Sequence, residues 1–311
     1  MENILYLVLG LIILILGGGF LVKGSVALAV RMKVSMVVIG LTVVSFATSA
    51  PELIVSIYSA LTGHPDMAIG NVIGSNIANI SLVLGLTALL FPLAFQQRLY
   101  RFDIPVMLFA SLLFGVFLYT NATLESWEGF VFVSMLFMLS FYMIRRSRKE
   151  EKLKHTIEED KLPLSKLTIY LTVGAVCLYF GSRLLVDGAS NLARMMGLSE
   201  RVISVSIVAF GTSVPELAAS IIAAFKKEKD LSIGNLIGSN IFNVFAVLGI
   251  TSIISPIQVI DQSLISNDIW WMFAVSLLLY PMMFLFHRGH IGRVEGGLLL
   301  LVYISYIYFL F

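Results

Sequence analysis

The sequence predicts an all-α polytopic membrane protein in which ten transmembrane helices form two five-helix repeats of inverted topology. Three observations support this fold class. Of the 311 residues, 58% are hydrophobic and only 13% are charged, whereas a soluble domain carries about 25% charged residues. The apolar residues fall into runs of the length that crosses a bilayer, about 20 residues. In addition, a long segment of the first half recurs in the second half.

Apolar runs bounded by charged or turn-forming residues predict the individual spans. The first run lacks a basic leading region and a small-residue cleavage site, so we expect it to be retained as a span. Residues 145–166 are predicted to be a charged cytoplasmic loop between the first repeat, 1–144, and the second, 167–311. The predicted spans are 3–22, 36–61, 67–92, 103–120, 127–144, 167–186, 201–225, 231–256, 268–286 and 294–311.

The distribution of Lys and Arg predicts the orientation, because cytoplasmic loops are rich in these residues. If segment 145–166 faces the cytoplasm, 18 of the 21 basic residues lie in or beside cytoplasmic connections. Both termini are then extracytoplasmic, and the protein is expected in a cell membrane. Because each half has an odd number of spans, the second half enters the bilayer from the opposite side.

The net charge of +2 is too small to indicate nucleic-acid binding, and no protein partner is predicted.

The internal repeat has a constant offset of 164 residues. Segments 40–92 and 204–256 share 25 identities in 53 positions without a gap. The identical residues include Thr, Ser, Pro, Glu, Gly and Asn, so shared apolar composition does not explain the match. Inverted repeats are typical of secondary transporters whose binding site lies near the bilayer midplane. The aligned motifs are VSFATSAPELIVSIYSA (44–60) with VAFGTSVPELAASIIAA (208–224), and IGNVIGSNIANISLVLG (69–85) with IGNLIGSNIFNVFAVLG (233–249).

Each repeat places a glutamate beside a proline in the middle of an apolar run. A charge at the bilayer centre costs at least about 2.5 kcal/mol and usually marks a functional site. No Lys or Arg lies inside a predicted span core to neutralise Glu52 or Glu216, although a role in holding a helix pair is the alternative. Hydroxyl residues three and four positions earlier share a helical face with each glutamate. These residues are Thr48, Ser49, Thr212 and Ser213.

The proline beside each glutamate cannot donate a backbone hydrogen bond. We therefore expect nearby carbonyl groups, including those of Ser45 and Ala209, to be released as ligands. Carboxylates, hydroxyls and carbonyls together suit a hard cation such as Ca²⁺ or Na⁺. A competing interpretation is that the hydroxyls bond back to the preceding turn of their own helix.

The second motif of each repeat adds hydroxyl and amide groups. Ser75 and Asn79 are i,i+4 neighbours, as are Ser239 and Asn243, so each pair is expected to face a cation, with interhelical hydrogen bonding as the alternative. Positions 76 and 240 project about 100° away and suit packing or pore lining as well as coordination. Close helix packing is expected at Gly70, Gly74, Gly234 and Gly238, and helix capping at Asp66 and Asp230.

Other reactive side chains form no competing site. The single cysteine, Cys177, lies in an apolar run and excludes a disulfide framework. The histidines fall in predicted loops, and no nucleophile and base accompany the repeats, so neither an enzyme nor a cofactor is predicted. The histidines are His64, His155, His287 and His290.

The motif pairs SFATSAPEL with GSNIAN, and AFGTSVPEL with GSNIFN, resemble the two alpha-repeats of the sodium/calcium exchanger family, within the cation/calcium antiporter superfamily. The resemblance implies a compact prokaryotic-type antiporter that exchanges Na⁺ for Ca²⁺ by alternating access, with spans 3–22 and 167–186 as the mobile pair. It also implies ligand roles. Ca²⁺ binding is implied for Glu52 and Glu216 with Thr48 and Thr212, Na⁺ binding for Ser45, Ser49, Ser75, Ala209, Ser213 and Ser239, and polar contacts for Asn79 and Asn243.

Two positions depart from the family pattern. Asn243 stands where many members carry Asp, and Ala47 stands where Gly is usual. Two carboxylates balance one Ca²⁺ or two Na⁺, so the ion stoichiometry stays open. H⁺/Ca²⁺ exchange, K⁺-dependent exchange and a passive cation channel are the alternative functions, because a buried glutamate also suits proton binding or a selectivity site. Affinity, transport direction and oligomeric state are open as well.

Overall fold

Helices account for most of the computed structural model, which describes residues 2–152, 162–196, 209–285 and 289–310. The prediction of a helical protein is confirmed. The α-helices, in chain order, are Glu2–Met32, Met36–Ile39, Ser45–Thr48, Ala50–Leu61, Pro65–Ile77, Gly85–Leu90, Ile104–Asn121, Ser126–Lys152, Leu164–Met195, Ala209–Thr212, Val214–Phe225, Lys229–Phe242, Gly249–Ile254, Ile269–Leu285 and Arg293–Leu310.

Seven of the described helices are long and apolar enough to cross a membrane. An eighth crossing exists if the helices of 36–48 and 50–61 count as one broken span. The predicted span 201–225 contains the shorter apolar helix Val214–Phe225, and its first eight residues lie outside the described ranges. The last predicted span holds the helix Arg293–Leu310, which is not among the seven. Ten spans and inverted repeats therefore stay a prediction.

Five short π-helical stretches interrupt the α-helices within the described ranges, and two of them lie at aligned positions of the repeat, Ala78–Leu84 and Asn243–Leu248. Two more, Leu99–Asp103 and Leu264–Asp268, lie outside the aligned segments. The fifth is Gly40–Val44, whose counterpart positions lie outside the described residues. A π-helical turn inside an α-helix is rare and is frequently found at a functional site.

Among the described residues, four two-residue strands form two short antiparallel sheets that the all-α prediction missed. Leu93–Ala94 pairs with His290–Ile291, and Thr123–Leu124 pairs with Ile257–Gln258. Each pair joins connections that are far apart in sequence, so a local sequence pattern does not reveal it. The strands tie helix ends together and leave the helical fold class unchanged.

The chain forms two compact units, and each unit takes segments from both halves of the sequence. Unit 1 comprises Met1–Thr48 and Tyr142–Asn235, and unit 2 comprises Ser49–Phe141 and Leu236–Phe311. The unit boundaries differ from the predicted repeat boundaries at 144 and 167, because packing joins helices that are distant in sequence. The division into two five-helix repeats stays a prediction.

Unit 1 contains two long helices, Glu2–Met32 and Leu164–Met195, which pack along each other. A Cβ atom at Gly174 would lie 2.6 Å from the backbone nitrogen of Leu21, so glycine is required for this approach. Both helices extend beyond the predicted spans, which ended at residues 22 and 186. Lys23 was predicted to begin a loop, but its ammonium group lies 4.9 Å from the centre of the Tyr170 ring. This cation–π contact accommodates the charge on the helix surface.

The predicted charged loop 145–166 is partly helical. The helix Ser126–Lys152 continues into it, supported by a 2.8 Å contact between Arg146 Nε and Glu150 Oε1 at i,i+4. Such pairs stabilise a helix by a few tenths of a kcal/mol, about 0.2 to 0.5 kcal/mol. The next helix begins at Leu164, and residues 153–161 lie outside the described ranges.

Glycine contacts also set the packing around the repeat motifs. In unit 1, a Cβ atom at Gly234 would lie 2.5 Å from the carbonyl oxygen of Val37, which confirms close approach there. In unit 2, the described residues do not show close approach at two other glycines: an added Cβ at Gly74 meets none of them within 4 Å, and the nearest one to an added Cβ at Gly70 is 3.8 Å away. Close packing in unit 2 occurs instead at Gly85, where an added Cβ would lie 3.0 Å from the carbonyl oxygen of Gly296.

Candidate functional site

Each predicted glutamate motif contains a break between two helices. The helix Ala50–Leu61 begins after Ser49, which has φ −85° and ψ 6°. The helix Val214–Phe225 begins after Ser213, which has φ −88° and ψ 1°. A proline lies in the first two positions of both helices, where its missing N–H is tolerated because it has no intrahelical partner. The two motifs therefore share one local backbone structure.

Glu52 and Glu216 lie in the first turns of these helices, and both are 0% exposed. The positive end of the helix dipole favours a carboxylate at this position. The prediction that Thr48 and Glu52 lie on one continuous helix was wrong, because the break at Ser49 ends the helix of Thr48. Proline initiates the second helix and does not kink a continuous one.

In unit 1, Asn235 makes hydrogen bonds with four polar residues. Thr48 Oγ1 donates to Asn235 Oδ1 at 3.1 Å, and Ser45 Oγ donates to the carbonyl oxygen of Asn235 at 3.0 Å. Asn235 Nδ2 donates to the carbonyl oxygen of Glu216 at 3.5 Å and to Ser220 Oγ at 3.0 Å. Ser45, Thr48 and Glu216 are all fully buried. Unit 1 thus brings three of the predicted site residues into one hydrogen-bond network.

In unit 2, Asn71 makes the corresponding contacts. Its Nδ2 atom donates to the carbonyl oxygen of Glu52 at 3.2 Å and to Ser56 Oγ at 3.0 Å. Ser49 and Glu52 are buried, with 3% and 0% exposure. The backbone of each glutamate is therefore held by an asparagine from the second motif of the same unit.

Asn71 and Asn235 are functional candidates that sequence reasoning missed. Both belong to the IGN triplets of the repeat and are separated by the same 164 residues as the glutamates. Their identity in the two copies was the available signal. Charge and i,i+4 spacing indicate other positions of the same helices.

The second motifs supply the remaining predicted site residues of unit 2, and all of them are buried. Asn243 Nδ2 donates to Asn76 Oδ1 at 3.0 Å. Neither amide atom of Asn79 has a hydrogen-bond partner among the described residues. Asn79 and Asn243 each lie at the start of a π-helical stretch, so the i,i+4 relation to the preceding serine crosses a change of helix type. The exposed fractions are 1% for Ser75, 0% for Asn79, 0% for Ser239 and 0% for Asn243.

Three predicted residues of unit 1 lie around the second break. Ala209 and Thr212 are the first and last residues of a short helix, and Thr212 is half-buried. Ser213 is fully buried, and its Oγ has no hydrogen-bond partner within the described ranges. The oxygen of a buried hydroxyl at this position can coordinate a cation.

The expected capping role of Asp66 was wrong. Its carboxylate accepts hydrogen bonds from the backbone N–H groups of Ile260 at 2.7 Å and Asp261 at 3.1 Å. The N-cap position of its own helix is His64, which makes no side-chain capping bond. A carboxylate bound to two loop N–H groups has a structural role distinct from the buried polar residues.

The hydrogen-bond networks that include the backbones of Glu52 and Glu216 contain many oxygen atoms. In the part of the chain that the structure describes, no group of three or more His, Cys, Asp or Glu residues is placed to hold a metal ion. The neighbouring polar groups are hydroxyls, amides and backbone carbonyls, which are the ligands that hard cations accept.

Comparisons with known proteins place both halves of the chain in one family. The family model described as "Sodium/calcium exchanger protein" matches residues 2–145 and 166–311. The putative antiporter CaxA of Alkalimonas amylolytica is 38% identical over 314 residues, covering 99% of this chain and 98% of the relative. The sodium/calcium exchanger MaX1 of Methanosarcina acetivorans is 31% identical over 354 residues, with the same coverage.

A solved structure agrees with these matches. The sodium-calcium exchanger NCX_Mj, soaked with 2.5 mM Na⁺ and 0.1 mM Ca²⁺, superposes with a TM-score of 0.83 at 31% identity, covering 99% of this chain and 98% of that chain. The form soaked without either ion gives a TM-score of 0.84. Sequence and fold are therefore similar over nearly the whole length. The chain belongs to the sodium/calcium exchanger family.

Proposed function

We propose that this protein is a secondary antiporter that exchanges Na⁺ for Ca²⁺ across a membrane by alternating access. The observation that carries the proposal is the pair of fully buried glutamates, Glu52 and Glu216. Each lies in the first turn of a helix that begins after a break in the helical backbone. A buried carboxylate in a membrane protein is expensive and marks a site of function. The similarity to MaX1, a sodium/calcium exchanger by name, supports the choice of ions.

Coupling follows if the two ions compete for the same carboxylates. Ca²⁺ and Na⁺ both prefer oxygen ligands, so binding of one excludes the other from the glutamates. We propose hydroxyl, amide and carbonyl groups of the repeat motifs as the additional ligands. The proposed ligand residues are Ser45, Thr48, Ser49, Glu52, Ser75, Asn79, Ala209, Thr212, Ser213, Glu216, Ser239 and Asn243.

Uptake by proteoliposomes tests the proposal. ⁴⁵Ca²⁺ should enter only when a Na⁺ gradient is directed outward, and uptake should fall to background in Glu52→Gln and in Glu216→Gln. Glu150→Gln is the matched control, because Glu150 is exposed and pairs with Arg146 on the helix surface. Normal uptake in either buried variant would overturn the proposal.

The same preparation separates the alternative functions. A pH gradient that drives uptake without Na⁺ would indicate H⁺/Ca²⁺ exchange, and a requirement for K⁺ on the Na⁺ side would indicate K⁺-dependent exchange. Flux that needs no countertransported ion would indicate a channel.

We also propose ten spans with both termini extracytoplasmic, as the distribution of Lys and Arg predicts. Thiol labelling in a Cys177→Ala background tests the orientation, since Cys177 is the single cysteine. A membrane-impermeant maleimide applied to intact cells should label Thr62→Cys and should not label Arg145→Cys. The reverse pattern would show the opposite orientation.

A further inference from the structure

Three buried asparagines of unit 2 form a directional hydrogen-bond relay around Asn243. Asn76 Nδ2 donates to the carbonyl oxygen of Asn240 at 3.3 Å and approaches Met272 Sδ at 3.5 Å. Asn76 Oδ1 accepts from Asn243 Nδ2 at 3.0 Å. Asn76, Asn240 and Met272 are at most 1% exposed, and Asn243 is 0% exposed. Both polar atoms of the Asn76 amide therefore have partners in the protein.

The chemistry of these partners determines the direction of the relay. A backbone carbonyl accepts hydrogen bonds and cannot donate them. Asn76 must therefore turn its NH₂ group toward Asn240, which leaves its oxygen facing Asn243. Asn243 must then donate a hydrogen bond from its own NH₂ group to that oxygen. As a result, Asn243 Oδ1 points away from Asn76, and this buried oxygen has no hydrogen-bond partner among the described residues.

The repeat counterpart of Asn76 does not act in this way. Asn240 Nδ2 donates to the carbonyl oxygen of Leu236 in its own helix, at 3.1 Å. Asn79, the counterpart of Asn243, has no hydrogen-bond partner on either amide atom within the described ranges. Among the described residues, the Asn243 amide is held from outside its own helix and the equivalent Asn79 amide is not, so this feature is not a general consequence of the repeated sequence.

We propose that Asn76 is a positioning residue that orients the Asn243 amide, so that Asn243 presents its carbonyl oxygen, and not its NH₂ group, to the transported cation. The proposal rests on the function proposed above. An amide whose NH₂ group faced a cation would repel it, and an amide free to rotate would lose affinity through the cost of ordering. The relay removes both penalties, because it fixes the position of the Asn243 Oδ1 atom. The neutral amide can then coordinate the cation through that oxygen.

A double-mutant cycle tests this role. Equilibrium ⁴⁵Ca²⁺ binding and Na⁺-driven uptake are measured for the full chain and for Asn76→Ala, Asn243→Ala and the double variant. Loss of one orienting hydrogen bond, worth about 1 kcal/mol, should weaken cation binding about fivefold in Asn76→Ala. In the Asn243→Ala background, adding Asn76→Ala should change binding less than twofold, because the oriented oxygen is already absent.

The control is Ser111→Ala, since Ser111 is buried in the same unit and its Oγ donates only within its own helix, to the carbonyl oxygen of Met107 at 3.1 Å. This variant should bind Ca²⁺ with wild-type affinity. Asn76→Ser replaces the alanine variant if the latter is recovered poorly. Wild-type affinity in the Asn76 variants, or effects that multiply in the double variant, would overturn the positioning role. Failure of wild-type protein to couple Ca²⁺ uptake to Na⁺ would instead overturn the proposed function, because equilibrium binding still tests Asn76 alone.

Discussion

Asn71 Nδ2 lies 3.0 Å from Ser56 Oγ, and the equivalent contact between Asn235 and Ser220 in the other unit has the same length. In both cases the asparagine also bonds to the carbonyl oxygen of the buried glutamate. The amide thus fastens the first turn of one helix to the second motif. This duplicated contact holds the glutamate backbone in place and leaves its carboxylate to other interactions.

Replacing either asparagine should destabilise the protein. Asn71→Leu and Asn235→Leu each remove a donor shared by a carbonyl and a hydroxyl, and leaving such buried groups unsatisfied costs about 1 to 3 kcal/mol. Asn235→Leu should be the more damaging, because Asn235 Oδ1 also accepts from Thr48. Thermal unfolding in detergent measures both. Asn191→Leu is the control, since Asn191 contacts Arg194 in an exposed position. Equal unfolding temperatures for both variants and wild type would contradict the assigned contacts.

The two glycines Gly234 and Gly74 should respond oppositely to alanine. A Cβ at position 234 would lie 2.5 Å from the carbonyl oxygen of Val37, whereas an added Cβ at position 74 meets none of the described residues within 4 Å. Overpacking should destabilise Gly234→Ala by about 1 to 3 kcal/mol. Gly74→Ala should be neutral or stabilising by up to about 1 kcal/mol, because alanine is the better helix former. Differential scanning calorimetry compares them, and a stable Gly234→Ala variant would show that the helices separate without penalty.

Asp66 should be required to order the loop that follows Ile257–Gln258. In Asp66→Ala, the N–H groups of Ile260 and Asp261 lose their acceptor, with an expected cost of about 0.5 to 1.5 kcal/mol, because both contacts are exposed and water can replace the carboxylate. Asp66→Asn retains one acceptor oxygen and should lose roughly half as much. Limited proteolysis across 256–263 follows the effect directly. Cleavage at the wild-type rate in the alanine variant would argue against this role.

Glu228 should make stability depend on pH. Desolvation by burial, followed by the negative charge of Asp230, raises the pKa of Glu228 above its usual value. The folded state then favours the protonated form, so stability is lost as pH rises from the unfolded-state pKa through the raised folded-state pKa. Glu228→Gln should stabilise the protein at pH 7 and leave it unchanged at pH 3.

Solvent screening limits the size of that effect. Glu228 is partly exposed, so we expect a gain of about 0.5 kcal/mol or less at pH 7. Thermal unfolding of wild type and Glu228→Gln across this pH range measures it. A gain of the same size at both pH values would mean that the substitution acts through packing and not through charge.

The sequence predicted those features that depend on the cost of exposing or burying a side chain. Apolar runs predicted the helices, and the recurrence of Glu52 as Glu216 predicted two buried carboxylates, both of which are 0% exposed. These inferences succeed because a charged side chain inside a bilayer is energetically costly unless the protein buries it. The helical spacing of neighbouring residues was less reliable, since it assumed one continuous helix through Ser49.

The remaining features depend on tertiary contacts that local patterns do not encode. The helix of Leu164–Met195 extends beyond its apolar part because it packs against another long helix, with Lys23 placed on the Tyr170 ring. The partners of Asn71 and Asn235 are set by how two helices meet. An asparagine in an apolar helix looks the same in sequence whether it binds an ion, a backbone carbonyl or another amide.

The π-helical stretch Ala78–Leu84 makes the downstream helix sensitive to chain length. It contains one residue more than an α-helical segment would need. Deleting that residue would restore an ordinary α-helix and rotate every later side chain by about 100°. Gly85 would then turn away from Gly296, whose carbonyl oxygen would lie 3.0 Å from a Cβ added at position 85. A single-residue deletion here would therefore disrupt the contact between Gly85 and Gly296, which are far apart in sequence. The composition of the polar motif would stay almost unchanged.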